Sequence, residues 1–326
     1  MSDDSTDGEA TPGTRPADPV AAGDTSDYGT DELEANGLTF ECLVEQPAPD
    51  ADTGGLAVCL HGFPDDAGSM VPVLDAVAEA GYTAVAPYMR GYAPTDPAPD
   101  GEYTAEALGA DATALLDVAA DHYDRDGDRV LVGHDWGAVA TYAAAAASPE
   151  AMDRMVAMAV PPRFEALLTR YPKQVLRSWY MWFFQLPGAP ERALQWEDFE
   201  FVEFLWGLWS PGWDYSRSRI ESVKATFERG DTVEHALSYY RQIVGSGLKD
   251  MVFHGPPSPD EEPSIEVPAL LVTGKHDGCI GTALFDDADR AFDGPCRVLR
   301  VADAGHFVHQ ERPAVVGDEL RRFLGD

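Results

Sequence analysis

The sequence predicts an α/β protein: a mostly parallel central sheet flanked by helices, with a helical segment inserted late in the chain. Three observations predict it. Short apolar runs at 56–60, 83–87, 130–132 and 269–273, and a final strand run at 297–301, alternate with stretches of helical character. Strands apolar along their whole length belong in a sheet covered on both faces. The run at 130–132 enters Gly133-His134-Asp135-Trp136-Gly137 and then an alanine-rich stretch. Small residues two positions either side of Asp135 allow a sharp strand-to-helix turn that lifts the middle side chain above the sheet edge. From about 163 to 262 strand signals fade and aromatic residues crowd together, among them Trp179, Trp182, Trp196, Trp206, Trp209 and Trp213.

Taken in order, residues 1–36 hold Asp, Glu, Thr, Pro and Gly with almost no large apolar side chains, which predicts a disordered acidic tail. Residues 38–44 alternate as an early strand. The buried strand at 56–60 ends at His61-Gly62-Phe63-Pro64. A helix fits 69–80, a strand 83–87, a loop the residues around Arg90-Gly91-Tyr92, and a helix about 104–121. Past Val160-Pro161-Pro162 the helical insertion begins, and proline-rich residues 256–268 return the chain to the strand at 269–273. A strand at 297–301 and a helix at 313–323 close it. The division is a tail (1–36), a first core part (37–160), a helical lid (161–262) and a second core part (263–326).

The 326 residues carry 57 Asp plus Glu against 23 Lys plus Arg, a formal net charge of −34. Such a surface repels nucleic acid and anionic membranes. The acidic excess runs through the whole chain, as expected of a halophilic protein, since the screening length falls to about 3 Å at 1 M salt. No apolar stretch reaches membrane-spanning length and no secretory signal opens the chain, so the reading is cytoplasmic. Cys42, Cys59, Cys279 and Cys296 lack metal-ligand spacing and read as reduced thiols.

What stands at the apex of the turn decides the chemistry. A serine there needs a base before it attacks an acyl carbon. A carboxylate is already charged; at an ester or amide it would form a reactive anhydride, but at a saturated carbon with a strained or good leaving group it forms an ordinary ester. Asp135 therefore points to epoxides or alkyl halides. The resulting ester has to be opened by water, which needs a base and an orienting partner. His306 follows the strand at 297–301 and Asp277 the strand at 269–273, both at the carboxyl ends where open sheets bind ligands. Their order, nucleophile then acid then histidine, is that of this sheet class. His276 and Asp303 are read as turn groups, His309 as a surface residue with a place behind His306 as the alternative, and His134 as packed beneath the turn. The backbone N–H groups of Trp136 and Phe63 are the candidate oxyanion donors; Pro64 has none to give.

These residues resemble the α/β-hydrolase superfamily, and within it the epoxide hydrolase branch, over about 38–325. The markers are His61-Gly62-Phe63-Pro64-Asp65, Arg90-Gly91-Tyr92, Gly133-His134-Asp135-Trp136-Gly137 and Gly305-His306-Phe307. The resemblance implies the α/β-hydrolase fold with a helical lid, and two lid tyrosines that protonate the epoxide oxygen. Residues 178–188 resemble the first lid motif and imply Tyr180; Leu237-Ser238-Tyr239-Tyr240-Arg241 resembles the second and implies Tyr240, with Tyr239 as the alternative. Where many epoxide hydrolases carry an Asn-x-Pro-His-Pro-like entrance to the lid, this chain departs, with Ala159-Val160-Pro161-Pro162-Arg163-Phe164. The expected activity is hydrolysis of a small hydrophobic epoxide to a vicinal diol, with no metal or cofactor, and compatible with a homodimer. Haloalkane dehalogenases share the elbow but commonly have asparagine where this chain has Phe63. Haloalkane or haloacid dehalogenation is the alternative, and a non-catalytic ligand receptor a minor one.

Overall fold

A computed structural model describes residues 25–164, 171–254 and 264–325, the side chains of 246–254 excepted. Eight strands form one sheet: β1 (Gly29–Ala35), β2 (Leu38–Glu45), β3 (Gly55–Leu60), β4 (Tyr82–Pro87), β5 (Arg129–His134), β6 (Arg154–Met158), β7 (Ala269–Gly274) and β8 (Cys296–Val301). Their spatial order is β1-β2-β4-β3-β5-β6-β7-β8. The pairs β1·β2 and β2·β4 are antiparallel, and every pair from β4 to β8 is parallel. The sheet is mostly parallel, as the apolar strand runs predict.

Alternate residues of each strand feed opposite faces. Leu56, Val58, Leu60, Leu131, Met155 and Leu271 pack with α2 (Ala105–Tyr123) and α3 (Trp136–Ala147), through side chains such as Leu108 and Leu116. Ala57, Cys59, Val130, Val132, Leu270 and Val272 pack on the other face with α1 (Val71–Glu79), whose buried residues include Val73 and Leu74. Full burial of one such aliphatic side chain contributes roughly 1.5–3 kcal/mol. Thr104 begins α2, its hydroxyl accepting the Ala107 N–H.

Two strands depart from the sequence reading. Residues 29–35 fall within the stretch read as a disordered tail, yet they form β1. Asn36 and Gly37, both at positive φ (49° and 77°), close a two-residue hairpin that pairs Ala35 with Leu38. Leu33 and Ala35 are buried while their neighbours are not, and this alternation is too short and too acidic to weigh against the surrounding composition. Residues 1–24 lie outside the described residues. The other strand, β6, has no place among the predicted elements. Its Met and Ala content favours helix, and the slot between β5 and β7 makes it a strand.

Between β6 and β7 the described insertion is helical: α4 (Pro172–Arg177), α5 (Trp179–Phe183), α6 (Ala189–Leu194), α7 (Glu200–Trp209), α8 (Arg217–Glu228) and α9 (Thr232–His254). The predicted lid and proline-rich stretch lie partly outside the described residues. After β8 come α10 (Val308–Glu311) and α11 (Pro313–Gly325). Among the described residues no helix is long and apolar enough to cross a membrane.

Candidate active site

Asp135 stands between β5 and α3 at φ 53°, ψ −112°. The turn is so tight that a Cβ on Gly137 would lie 2.1 Å from the Leu60 carbonyl oxygen, so only glycine fits there. The carboxylate is buried beside the loop after β3, and the Phe63 N–H donates to its Oδ1 at 2.9 Å. Its Oδ2 lies 3.6 Å from Nε2 of His306. Trp136 opens α3, where N–H groups have no partner within the helix.

His306 follows β8, and its Nδ1 is 2.9 Å from Oδ2 of Asp277, which follows β7. Oδ1 of Asp277 accepts the N–H groups of Cys279 and Ile280, both at 2.7 Å. That anchoring leaves one oxygen for the imidazole. Burial opposes charge on His306, but the Asp277 carboxylate, with Asp135 on the other side, outweighs it and pushes the ring up to about 10. The resting ring is thus an imidazolium between two carboxylates. Its native pKa lies above the unfolded value of about 6.5, so its contribution to stability is fully present below that pH and is lost as pH rises through about 10. Urea unfolding between pH 6 and 10 should show this loss, and the loss should be absent from His306→Gln.

The neighbouring histidines are neutral. Burial and the charge of His306 push His134 down to about 3, and its Nε2 donates to the His306 carbonyl at 3.0 Å. It lies under the turn as expected. His309 does not reach the surface: it is fully buried, its ring centroid 4.5 Å from that of His134. The short helix α10 turns it inward. His276 and Asp303 are exposed.

The insertion roofs this site with aromatic rings. Tyr240 packs against Trp136, Phe184, Phe63 and Tyr180, with ring centroids 4.8, 5.0, 5.3 and 5.8 Å away. Among the described residues its hydroxyl has no hydrogen-bond partner of ordinary geometry. Tyr180 OH is 3.2 Å from Sγ of Cys279. Burial pushes both phenols well above 10, so they keep their protons until a stronger base arrives. Tyr239 is committed elsewhere, donating to the Arg90 carbonyl at 2.8 Å.

Several groups that sequence reasoning gave no role tie the insertion to the loops after β3 and β7. Gln174 of α4 donates to the Cys279 carbonyl (2.8 Å) and accepts the Gly281 N–H (3.0 Å). Arg219 of α8 is fully buried against Asp65 and Asp66, and Trp206 Nε1 donates to the Pro64 carbonyl at 2.8 Å. Two clusters, Asp65/His134/His309 and Asp277/Cys279/His306, are close enough to suggest metal ligation. Their ligand atoms are already engaged: Asp65 pairs with Arg219, and Asp277 gives one oxygen to two backbone N–H groups and the other to His306.

Residues 57–313 match the family model described as alpha/beta hydrolase fold. The "AB hydrolase superfamily protein YfhM" of Bacillus subtilis is 27% identical over 297 residues, covering 90% of this chain and 96% of the relative. "Epoxide hydrolase A" of Mycobacterium tuberculosis is 28% identical over 328 residues, covering 90% and 96%. Among solved structures, Epoxide Hydrolase A from Mycobacterium thermoresistibile aligns with a TM-score of 0.73 at 25% identity, over 91% of this chain and 98% of that one. The Bacillus megaterium epoxide hydrolase shares the fold at a TM-score of 0.75 and 22% identity, over 91% and 100%.

Proposed function

We propose that this chain, which belongs to the α/β-hydrolase family, acts in the epoxide hydrolase branch of it and hydrolyses a hydrophobic epoxide to a vicinal diol through an ester on Asp135. The observation that carries this reading is a carboxylate with one oxygen on the Phe63 N–H and the other facing His306, beneath two buried phenols. Oδ2 of Asp135 attacks a ring carbon, and the C–O bond of the epoxide breaks. An alkoxide is a poor leaving group, and Tyr180 and Tyr240 protonate it. Esterification removes one of the two anions that hold the proton on His306. The proton His306 sheds balances the phenolate left behind, and the neutral ring, oriented by Asp277, becomes a base. It deprotonates water, which attacks the carboxyl carbon of Asp135. The N–H groups of Phe63 and Trp136 stabilise the oxyanion. The diol leaves and the carboxylate is restored; no step calls on a metal or cofactor.

One observation favours halide displacement as a second reading: among the described residues the buried indole N–H groups of Trp136 and Trp209 have no hydrogen-bond partner of ordinary geometry, as in a halide-binding pair. Parallel assays decide. Diol formation from styrene oxide without halide release from haloalkanes or haloacids supports the epoxide reading, and the reverse pattern overturns it. Turnover of neither panel would favour a receptor. Tyr180→Phe and Tyr240→Phe remove only a hydroxyl, so each should slow ester formation about 10–100-fold and the double variant about 10²–10⁴-fold, measured by rapid quench.

The proposal extends to a small hydrophobic substrate as the partner, no nucleic-acid partner, and a cytoplasm of high salt. Raising KCl from 0.1 to 3 M should raise the melting temperature by roughly 5–10 °C as acidic self-repulsion is screened, read by differential scanning fluorimetry. A homodimer is compatible with the exposed lid residues Trp179, Trp182 and Phe204, and light scattering in 3 M KCl tests it.

A further inference from the structure

Both loops that carry the imidazole and its carboxylate rest on the end of one lid helix. α7 stops at Trp209, whose carbonyl accepts the N–H of Gly278 (2.9 Å) and that of His306 (3.2 Å). The next residue, Ser210, is buried, and its hydroxyl accepts the N–H groups of His306 (2.9 Å) and Phe307 (3.2 Å). The same hydroxyl donates its proton to Oε1 of Glu311 at 2.6 Å, while Oε2 of Glu311 accepts the Gly305 N–H at 2.8 Å. One donor and two acceptor sites exhaust what a serine offers. Three successive N–H groups, those of Gly305, His306 and Phe307, are thereby fixed by Ser210 and Glu311. The approach is close: a Cβ on Gly305 would lie 2.7 Å from the Ser210 hydroxyl oxygen, and one on Gly278 would lie 2.1 Å from the Leu208 carbonyl oxygen. A glycine beside each of Asp277 and His306 makes room for the helix end.

We propose that Ser210, braced by Glu311, is a positioning residue contributed by the lid that aims His306 at the hydrolytic water. The inference rests on the ester mechanism above and deepens it. It also separates the two half-reactions. The imidazole acts as a base only in the second, so loosening its seat should slow ester hydrolysis and spare ester formation. A displacement of about 1 Å can cost on the order of 100-fold in rate.

The experiment follows both half-reactions with styrene oxide by rapid quench and intact-protein mass. In Ser210→Ala, ester formation should stay within about threefold of the parent while ester hydrolysis falls about 10–100-fold. The ester then accumulates during turnover, and kcat and KM fall together. Ser210→Thr keeps the hydroxyl and should restore most of the hydrolysis rate. Glu311→Gln weakens the brace without removing the serine, and it supplies the same test should the alanine variant fail to fold. Parental hydrolysis in a folded Ser210→Ala or Glu311→Gln protein, or an equal loss in both half-reactions, overturns the inference and leaves the ester mechanism standing. A parent that forms no ester with the epoxide overturns the mechanism itself.

Discussion

Asp135→Ala should lose epoxide turnover by at least about 10⁴-fold and take up no mass from the substrate. The substitution removes the group that, among the described residues, the proposed mechanism uses to bond the ring carbon; the tyrosines and His306 assist that attack but do not make it. It also strips His306 of one flanking carboxylate and leaves the Phe63 N–H without its acceptor. Backbone strain changes little, because the position already holds a non-glycine residue at φ 53°. Steady-state diol formation and intact mass check the expectation together. Substantial turnover in a folded variant would remove the covalent route.

His306→Gln is the complementary case. Ring opening depends on Asp135 and the phenols, so the ester should still form, but water then lacks its base. One equivalent of substrate mass should appear on the protein within the first turnover and persist, with steady-state turnover down about 10⁴-fold. Peptide mapping should place the added mass on Asp135. Exposing the same variant to an alkyl halide identifies which electrophile the site captures. A variant that turns over normally would contradict the assignment of the base, and one that carries the added mass elsewhere would contradict the assignment of the nucleophile.

The core strands and the candidate constellation were legible for related reasons. Period and apolarity mark β3, β5 and β7, and residues just past parallel strands converge on one rim, so Asp135, Asp277 and His306 could be grouped by position alone. β1 was obscured because composition was averaged over the acidic tail; the Asn36-Gly37 pair flanked by Leu33, Ala35 and Leu38 was the signal that could have found it. β6 was hidden because its residues favour helix until a sheet closes on both sides. His309 was misplaced because nothing in a loop sequence shows which way its final turn faces. Ser210 and Arg219 carried no signal at all. Each is an ordinary helical or capping residue by its neighbours, and its partners Glu311 and Asp65 lie 101 and 154 positions away.

The two oxygens of Asp135 are not equivalent. Oδ1 is tethered to the backbone of Phe63, so in the proposed ester mechanism Oδ2 is the one that enters the substrate. When water cleaves the ester at the carboxyl carbon, that atom departs in the diol and the solvent replaces it. The side chain is accordingly a reagent renewed atom by atom: each molecule of product carries off an oxygen that belonged to the protein, and the water consumed in one cycle is passed on in a later one.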